Sequence, residues 1–423
     1  MINKKFKDWF NNQKKINKIS VKTIDISKAE NWNISKSEIA HTTKKFFKII
    51  GIRINTNFYK KNWDQPIILQ NEVGILGIIK NIKNNKYLLQ AKVEPGNKNK
   101  IQLSPTVQAT RSNYTQAHGG KNVPYVSFFL DIKKKNIFNQ SEQGFRYLNK
   151  FNSNILIKTK KKIILIPGFV WVSLKQLIKM IKIKNFINMD TLSVISSNIS
   201  PNELDNPVNN NSVVKNWLKN KDKLFFLRTK IVPLSQLKDW KYNQKTITHK
   251  NKKHFSIIAV KVQTNKREVS HWCQPILKGK SLAMAGFIQK KIGDTNHYLC
   301  RYILKPGLKK SVLTCTVNTS DVLMFKKDNN LSLFQKNILI NYFMNNKYKK
   351  FINYDNVMSD EGGRFYHCEI RYMGISFKKD FNIKLPSDYI WISKNQMIDL
   401  IKKKKIDIEG RLLFGCLNIH DFN

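Results

Sequence analysis

Apolar residues along this chain fall into short runs, separated by stretches rich in Lys and Asn. FKIIGIRIN (47–55), PIILQ (66–70), GILGIIKN (74–81), YLLQAKVE (87–94), VPYVSFFL (123–130) and NILIK (154–158) have strand length. They carry the β-branched and aromatic residues that favour strands. SLKQLIKMIKIKNF (173–186) is different: Leu174, Leu177, Ile178 and Ile181 recur at helical spacing. Ser173 stands where an N-cap belongs. A short amphipathic helix carrying Trp9 is expected at the start. The pattern predicts an α+β unit, a mixed sheet with flanking helices.

The same pattern then occurs again. Trp9 pairs with Trp217, Trp32 with Trp240, His41 with His249 and Phe47 with Phe255. Trp63-Asp64-Gln65-Pro66 returns as Trp272-Cys273-Gln274-Pro275, and Pro95-Gly96 as Pro306-Gly307. Gly144-Phe145-Arg146-Tyr147 returns as Gly362-Gly363-Arg364-Phe365, and Trp171 as Trp391. The order never breaks, so the chain is a duplication. The polar stretch SSNISPNELDNPVNNNS (196–212), with two prolines, separates the copies. The expected division is a first repeat at 1–198, a linker at 199–212 and a second repeat at 213–423. The helix SKNQMIDLIKKKK (393–405) is the second copy's counterpart of 173–186.

One stretch departs from the Lys- and Asn-rich background. EPGNKNKIQLSPTVQATRSNYTQAHGG (94–120) concentrates varied donors and acceptors: Gln102, Ser104, Thr106, Gln108, Thr110, Arg111, Ser112, Asn113, Tyr114 and His118. A site for a polyhydroxylated ligand needs such a set. The second copy keeps the Pro-Gly turn and loses the chemistry. Glu94 becomes Lys305, Asn97 becomes Leu308, Gln108 becomes Asn318, Arg111 becomes Asp321 and Tyr114 becomes Met324. One working pocket is expected, in the first copy.

QLSPTVQATRSNY, the upstream WDQPIILQNEVGILGIIKN (63–81) and YLLQAKVEPGN (87–97) resemble the sugar-nucleotide (dTDP-4-keto-6-deoxy-D-glucose) 2,3-dehydratases of deoxysugar biosynthesis. The resemblance implies two tandem Nudix-like domains, a homodimer and a downstream 3-ketoreductase. It also implies the reaction. The C4 ketone acidifies the C3 proton, its removal gives an enolate, and the enolate expels the C2 hydroxyl. The enol then becomes a 3,4-diketo-2,6-dideoxy sugar. The ketone is the electron sink, so no metal, NAD or other cofactor is implied. Such a site needs a base, an oxyanion donor and an acid. Tyr114, His118 and Glu94 are the catalytic candidates, with base and acid unassigned among them. Arg111 is the candidate pyrophosphate clamp, because its fork matches phosphate oxygens. Gln102, Thr106, Gln108, Ser112, Asn113 and Asn97 are candidate substrate-binding groups, although alternation along a strand would turn some of them away. Gln65 and Arg146 are also candidates, but both recur in the second copy (Gln274, Arg364), which fits a structural role equally.

Composition changes the picture in three ways. The formal charge of +48 invites a nucleic-acid reading. Yet the excess is Lys spread along the whole chain, without the Arg forks that read base edges, as an AT-rich coding genome would produce. A basic, non-catalytic nucleotide- or nucleic-acid-binding protein on the same scaffold is therefore the alternative, not the first reading. The five Cys lie scattered in the second half with no CxxC pair, which fits free thiols in a reducing cytoplasm. No apolar window reaches transmembrane length and the N-terminus has no apolar signal core. The acidic magnesium-binding helix of Nudix hydrolases, GxGxxG and P-loop patterns are missing, which argues against pyrophosphohydrolase and dinucleotide chemistry.

Overall fold

The computed structural model describes residues 3–116, 121–132, 136–252, 254–265, 267, 269–320, 331–377, 381 and 383–423. The fold is α+β in two copies. Each copy has a smaller sheet and a seven-stranded mixed sheet. In the first copy's large sheet, Phe151–Thr159 runs parallel to Gly74–Asn81, while Lys86–Val93 lies antiparallel on the other side. In the second, Glu369–Phe377 runs parallel to Ala283–Ile292.

The two copies are interlocked. Strand Ile19–Ile24 leaves its own repeat and pairs antiparallel with Ser256–Thr264 of the second. Leu227–Val232 of the second repeat pairs in return with Lys48–Thr56 of the first. The smaller sheets are therefore each completed by the other copy. Trp32 Nε1 donates to the carbonyl of Cys273 at 2.7 Å, and Trp240 Nε1 to that of Asp64 at 2.7 Å. The Arg146 guanidinium lies 4.1 Å over the Phe255 ring, and Arg364 lies 4.1 Å over Phe47. The aromatic and arginine residues that recur along the sequence thus mark a pseudo-symmetric contact between repeats.

The turns make the tightest contact. The Gly96 N–H donates to the Gly362 carbonyl at 2.7 Å, and the His367 N–H donates back to Gly96 at 2.7 Å. In mirror image, Gly307 donates to Gly144 at 2.7 Å and accepts from Asn149 at 2.8 Å. A Cβ on Gly96 would lie 1.8 Å from the Phe365 carbonyl oxygen, and one on Gly307 would lie 1.8 Å from that of Tyr147. Neither turn has room for a side chain.

Two helices form the centre of the core, Met189–Ser197 and Ile408–Leu417, one from each copy. Every residue of Met189–Ser197 is buried, so it has no amphipathic period, and the sequence pattern does not mark it. Ser173 caps Leu174–Met180 with a reciprocal bond to Gln176, but the helix is shorter than expected. The Ile181 carbonyl accepts instead from Tyr354 Oη at 2.8 Å and Asn356 Nδ2 at 2.7 Å of the second repeat. The run 123–130 is not a strand; Val126–Phe129 forms a 3-10 turn. Pro124 cannot donate to a ladder, and Tyr125 takes a left-handed φ of 61°. Phe129 fills the space over Gly77, where a Cβ would meet its ring at 2.2 Å.

If the reciprocal turns hold the molecule together, Gly96→Ala and Gly307→Ala lower stability alike, by about 3 kcal/mol each. Urea unfolding should show a reduced midpoint at unchanged slope for both. A neutral Gly307→Ala would contradict the mirror arrangement.

Candidate active site

A groove of about 390 Å³ opens on the first repeat. Lys44, Lys45 and Lys48 line it, together with Arg111, Ser112 and Thr115 of the polar run. Glu72 is the one carboxylate among its lining residues. The short helix Arg111–Tyr114 follows directly from strand Val107–Ala109, which brings its first turn to the groove. Glu72 receives that turn: its carboxylate accepts from Ser112 N at 2.9 Å and from Ser112 Oγ at 3.0 Å.

Beneath the groove lies buried charge. The Nζ of Lys150, a buried residue, donates to the Glu72 carbonyl. The Glu142 N–H donates to the Lys150 carbonyl at 3.0 Å, and Asn152 Nδ2 to Glu142 Oε1 at 2.7 Å. Glu142 Oε2 is buried without a hydrogen-bond partner. Burial raises the Glu142 pKa; Arg411 opposes the rise and Glu361 adds to it. Burial raises Asp190 well above the usual carboxylate range, and Glu142, Glu361 and Glu94 reinforce it. Like charges in low dielectric oppose one another's ionisation, which adds to the effect of burial on these carboxylates. Glu361 comes from the second repeat and accepts from Tyr147 Oη. Its neighbour Asp360 accepts from Gln143 Nε2. Burial pushes Asp360 up to about 7. The fully buried Arg411, also of the second repeat, donates to the Ser141 carbonyl at 3.0 Å and sets a cation beside Glu142.

The second repeat fills the equivalent space differently. Lys305, where the first repeat has Glu94, is fully buried between Asp407 at 2.8 Å and Glu409 at 2.6 Å. Burial works to lower its pKa, but the two carboxylates hold it raised. Its stem lies against Gly144, where a Cβ would meet Lys305 Cβ at 2.8 Å. One copy has an unneutralised acid cluster, and the other has an ion-paired plug.

The candidate residues separate into groups. Arg111 and Ser112 line the groove. Asn113 sits beside it and accepts from Thr110 Oγ1 at 2.6 Å. Tyr114 is half-buried against the apolar cluster containing Val107 and Phe129. Glu94 and Gln108 meet in the interior at 2.9 Å, and Gln108 also accepts from Asn188 at 3.0 Å. Asn97 donates to Gln102 at 2.9 Å, and Gln102 to the Asn185 carbonyl at 3.0 Å; both are buried under the interlocked turn. Thr106 joins two strands, accepting from Ile79 N and donating to the Leu88 carbonyl. Thr316 does the same in the second repeat. Gln65 donates to the Phe145 carbonyl at 2.7 Å, mirrored by Gln274 and Gly363. Arg146 stacks on Phe255. His118 lies outside the described residues.

Sequence reasoning passed over Glu72, Lys150, Glu142 and Asp190. The comparison of copies could have found two of them: at matching places in the paired strands, the second repeat has Ser281 for Glu72 and Cys368 for Lys150.

A cationic groove over buried carboxylates with raised pKa values suits an enzyme that acts on an anionic substrate. Comparison with known proteins narrows this class. The model of the NDP-hexose 2,3-dehydratase family matches residues 3–197 and again 211–417. A dTDP-4-dehydro-6-deoxy-alpha-D-glucopyranose 2,3-dehydratase of Saccharopolyspora spinosa is 31% identical over 98% of this chain and 90% of its own. Enzymes of the same description from Amycolatopsis orientalis (30% identical, over 97% of this chain and 89% of its own) and Streptomyces violaceoruber (28%, over 97% and 96%) are also similar. The chain belongs to the NDP-hexose 2,3-dehydratase family.

The raised Asp360 makes a pH prediction. A buried carboxyl that keeps its proton stabilises the fold at low pH, and that contribution is lost as pH rises from its unfolded value toward about 7. Asp360→Asn keeps an oxygen acceptor for Gln143 and cannot ionise. Denaturant unfolding at about pH 5 and about pH 8 should show a smaller loss of stability with rising pH in the variant than in the wild type. An unchanged loss would mean that Asp360 ionises freely.

Proposed function

We infer that this protein removes water from dTDP-4-keto-6-deoxy-D-glucose, giving the 3,4-diketo-2,6-dideoxy sugar nucleotide. The observation that carries the reading is the first-repeat groove, which Arg111 and Ser112 of the polar run line together with three lysines. An anionic pyrophosphate fits that lining by charge and by the bidentate geometry of arginine. The three relatives bear the name of this reaction.

The chemistry asks nothing further of a cofactor. The C4 ketone of the substrate accepts the electron pair released at C3, so the reaction runs without a metal or NAD. Glu94, Tyr114 and His118 are the polar run's candidates for donating to the C4 oxygen and assisting proton transfer, with Gln102, Thr106, Gln108, Asn97, Asn113, Gln65 and Arg146 shaping or supporting the substrate site. The protein works in the cytoplasm as a homodimer, and a 3-ketoreductase takes up its labile product. The second repeat contributes structure, and its own pocket is decayed.

The test is direct. Purified protein is mixed with dTDP-4-keto-6-deoxyglucose, without added metal or NAD, and a 3-ketoreductase traps the product. Mass spectrometry should show the loss of one water. Arg111→Ala should raise KM by about tenfold to a hundredfold, as expected for a lost charged hydrogen bond. Lys280→Ala, in the smaller hollow of the second repeat, should leave turnover unchanged. Nucleotide binding without loss of water would contradict the dehydratase reading and leave a binding protein.

A further inference from the structure

Proton transfer needs a group in the groove itself. Among the described residues that line it, Glu72 alone is a carboxylate. It is half-exposed, so a ligand in the groove reaches it without any opening of the core. Glu142 and Asp190 lie buried in the core, with Glu361 half-buried near them.

The residue is held from two directions. Ser112 binds its carboxylate with a backbone N–H and a hydroxyl, at 2.9 and 3.0 Å. Lys150 fixes its backbone carbonyl from below. Two residues on, Gly74 N donates to Asn152 Oδ1 at 3.0 Å, and a Cβ on Gly74 would lie 2.7 Å from that oxygen. A carboxylate offers about four lone-pair positions, and the two bonds from Ser112 leave the others open. This arrangement fixes the direction of the group while leaving lone pairs open to a ligand.

The assembly belongs to one repeat. Gly74–Asn81 and Ala283–Ile292 are equivalent strands, each parallel to its counterpart strand. Matching them puts Ser281 at the place of Glu72, Cys368 at that of Lys150 and Ile370 at that of Asn152. A residue needed only to shape the fold would have reason to recur, as Thr106 and Gln65 do. Glu72 and both of its supports do not.

We propose that Glu72 is the base that takes the C3 proton and, once protonated, the acid that releases the C2 hydroxyl; this rests on the dehydratase reading. In the first step the C3–H bond breaks and its proton moves to the Glu72 carboxylate. The electron pair forms the C3–C4 double bond of an enolate, whose C4 oxygen is stabilised by the cationic lining. In the second step the enolate collapses, the C2–O bond breaks, and the Glu72 carboxyl returns its proton to the departing hydroxide. Water leaves, and the carboxylate is restored. The remaining C2–C3 enol tautomerises to the diketone with no net gain or loss of protons.

The test uses the full-length chain with Glu72→Gln, Glu72→Asp and Glu72→Ala. Glu72→Gln keeps an oxygen for Ser112. Its kcat should fall on the order of 10²- to 10⁴-fold, with KM and Tm near those of the wild type. Substrate recovered from D₂O should no longer gain deuterium at C3. Glu72→Asp should retain part of the rate, and formate should restore turnover to Glu72→Ala. Full turnover by Glu72→Gln, or a loss confined to KM and Tm, overturns the catalytic role and leaves Glu72 as a support for Ser112. A wild-type protein inert toward this sugar nucleotide overturns the dehydratase reading, and the role of Glu72 falls with it.

Discussion

The insertion of each Pro-Gly turn into the other repeat is the constraint on which the rest depends. Gly96 and Gly307 approach backbone so closely that no other residue fits. Each turn is held by a pair of backbone hydrogen bonds across the repeat boundary. These contacts set Glu94, immediately before the first turn, beside the Asp360-Glu361-Gly362 segment of the second repeat. They set Lys305 beside the Gly144 segment of the first. The exchanged strands Ile19–Ile24 and Leu227–Val232 add to the same bond between copies.

A symmetric frame then carries an asymmetric interior. In the second repeat, Lys305 satisfies Asp407 and Glu409, and the space is closed. In the first, Glu94 stands at that place, and burial raises the pKa values of Glu142, Asp190 and Glu361, with their mutual repulsion adding to it. Burying a charge without a partner costs several kcal/mol, so an acid cluster of this kind persists only where the surroundings are fixed. Arg411 and Lys150 provide that fixing, the first from the second repeat and the second from the first. The second repeat thus holds an ion-paired lysine at the place where the first has an acid.

Much of this is visible in the sequence, for physical reasons. Strands such as Gly74–Asn81 and Lys86–Val93 are read from apolar runs because each is a local unit with its own turn. The duplication is read from Trp32/Trp240 and Gln65/Gln274 because both pairs make mirrored contacts. What is hidden is non-local. Helix Met189–Ser197 is buried all round and has no period to detect. The end of the helix at Met180 is decided by Tyr354 and Asn356, far along the chain. The site is legible in part: Arg111 and Ser112 stand out in a polar run and do line the groove. Glu72 and Lys150 look ordinary in sequence, and they stand out only when the two copies are matched strand by strand. Thr106 and Gln65 look like ligand groups and are bonded within the fold.

The central claim is that two repeats make one folding unit and one site. The most direct measurement is to produce residues 1–209 and 210–423 as separate chains, alone and together. Neither alone should unfold cooperatively or consume dTDP-4-keto-6-deoxyglucose, because each lacks a strand of its own sheet and the partner for its turn. Produced together, they should form a complex with a single unfolding transition and restored loss of water. A first repeat that folds and dehydrates the sugar nucleotide by itself would contradict the account.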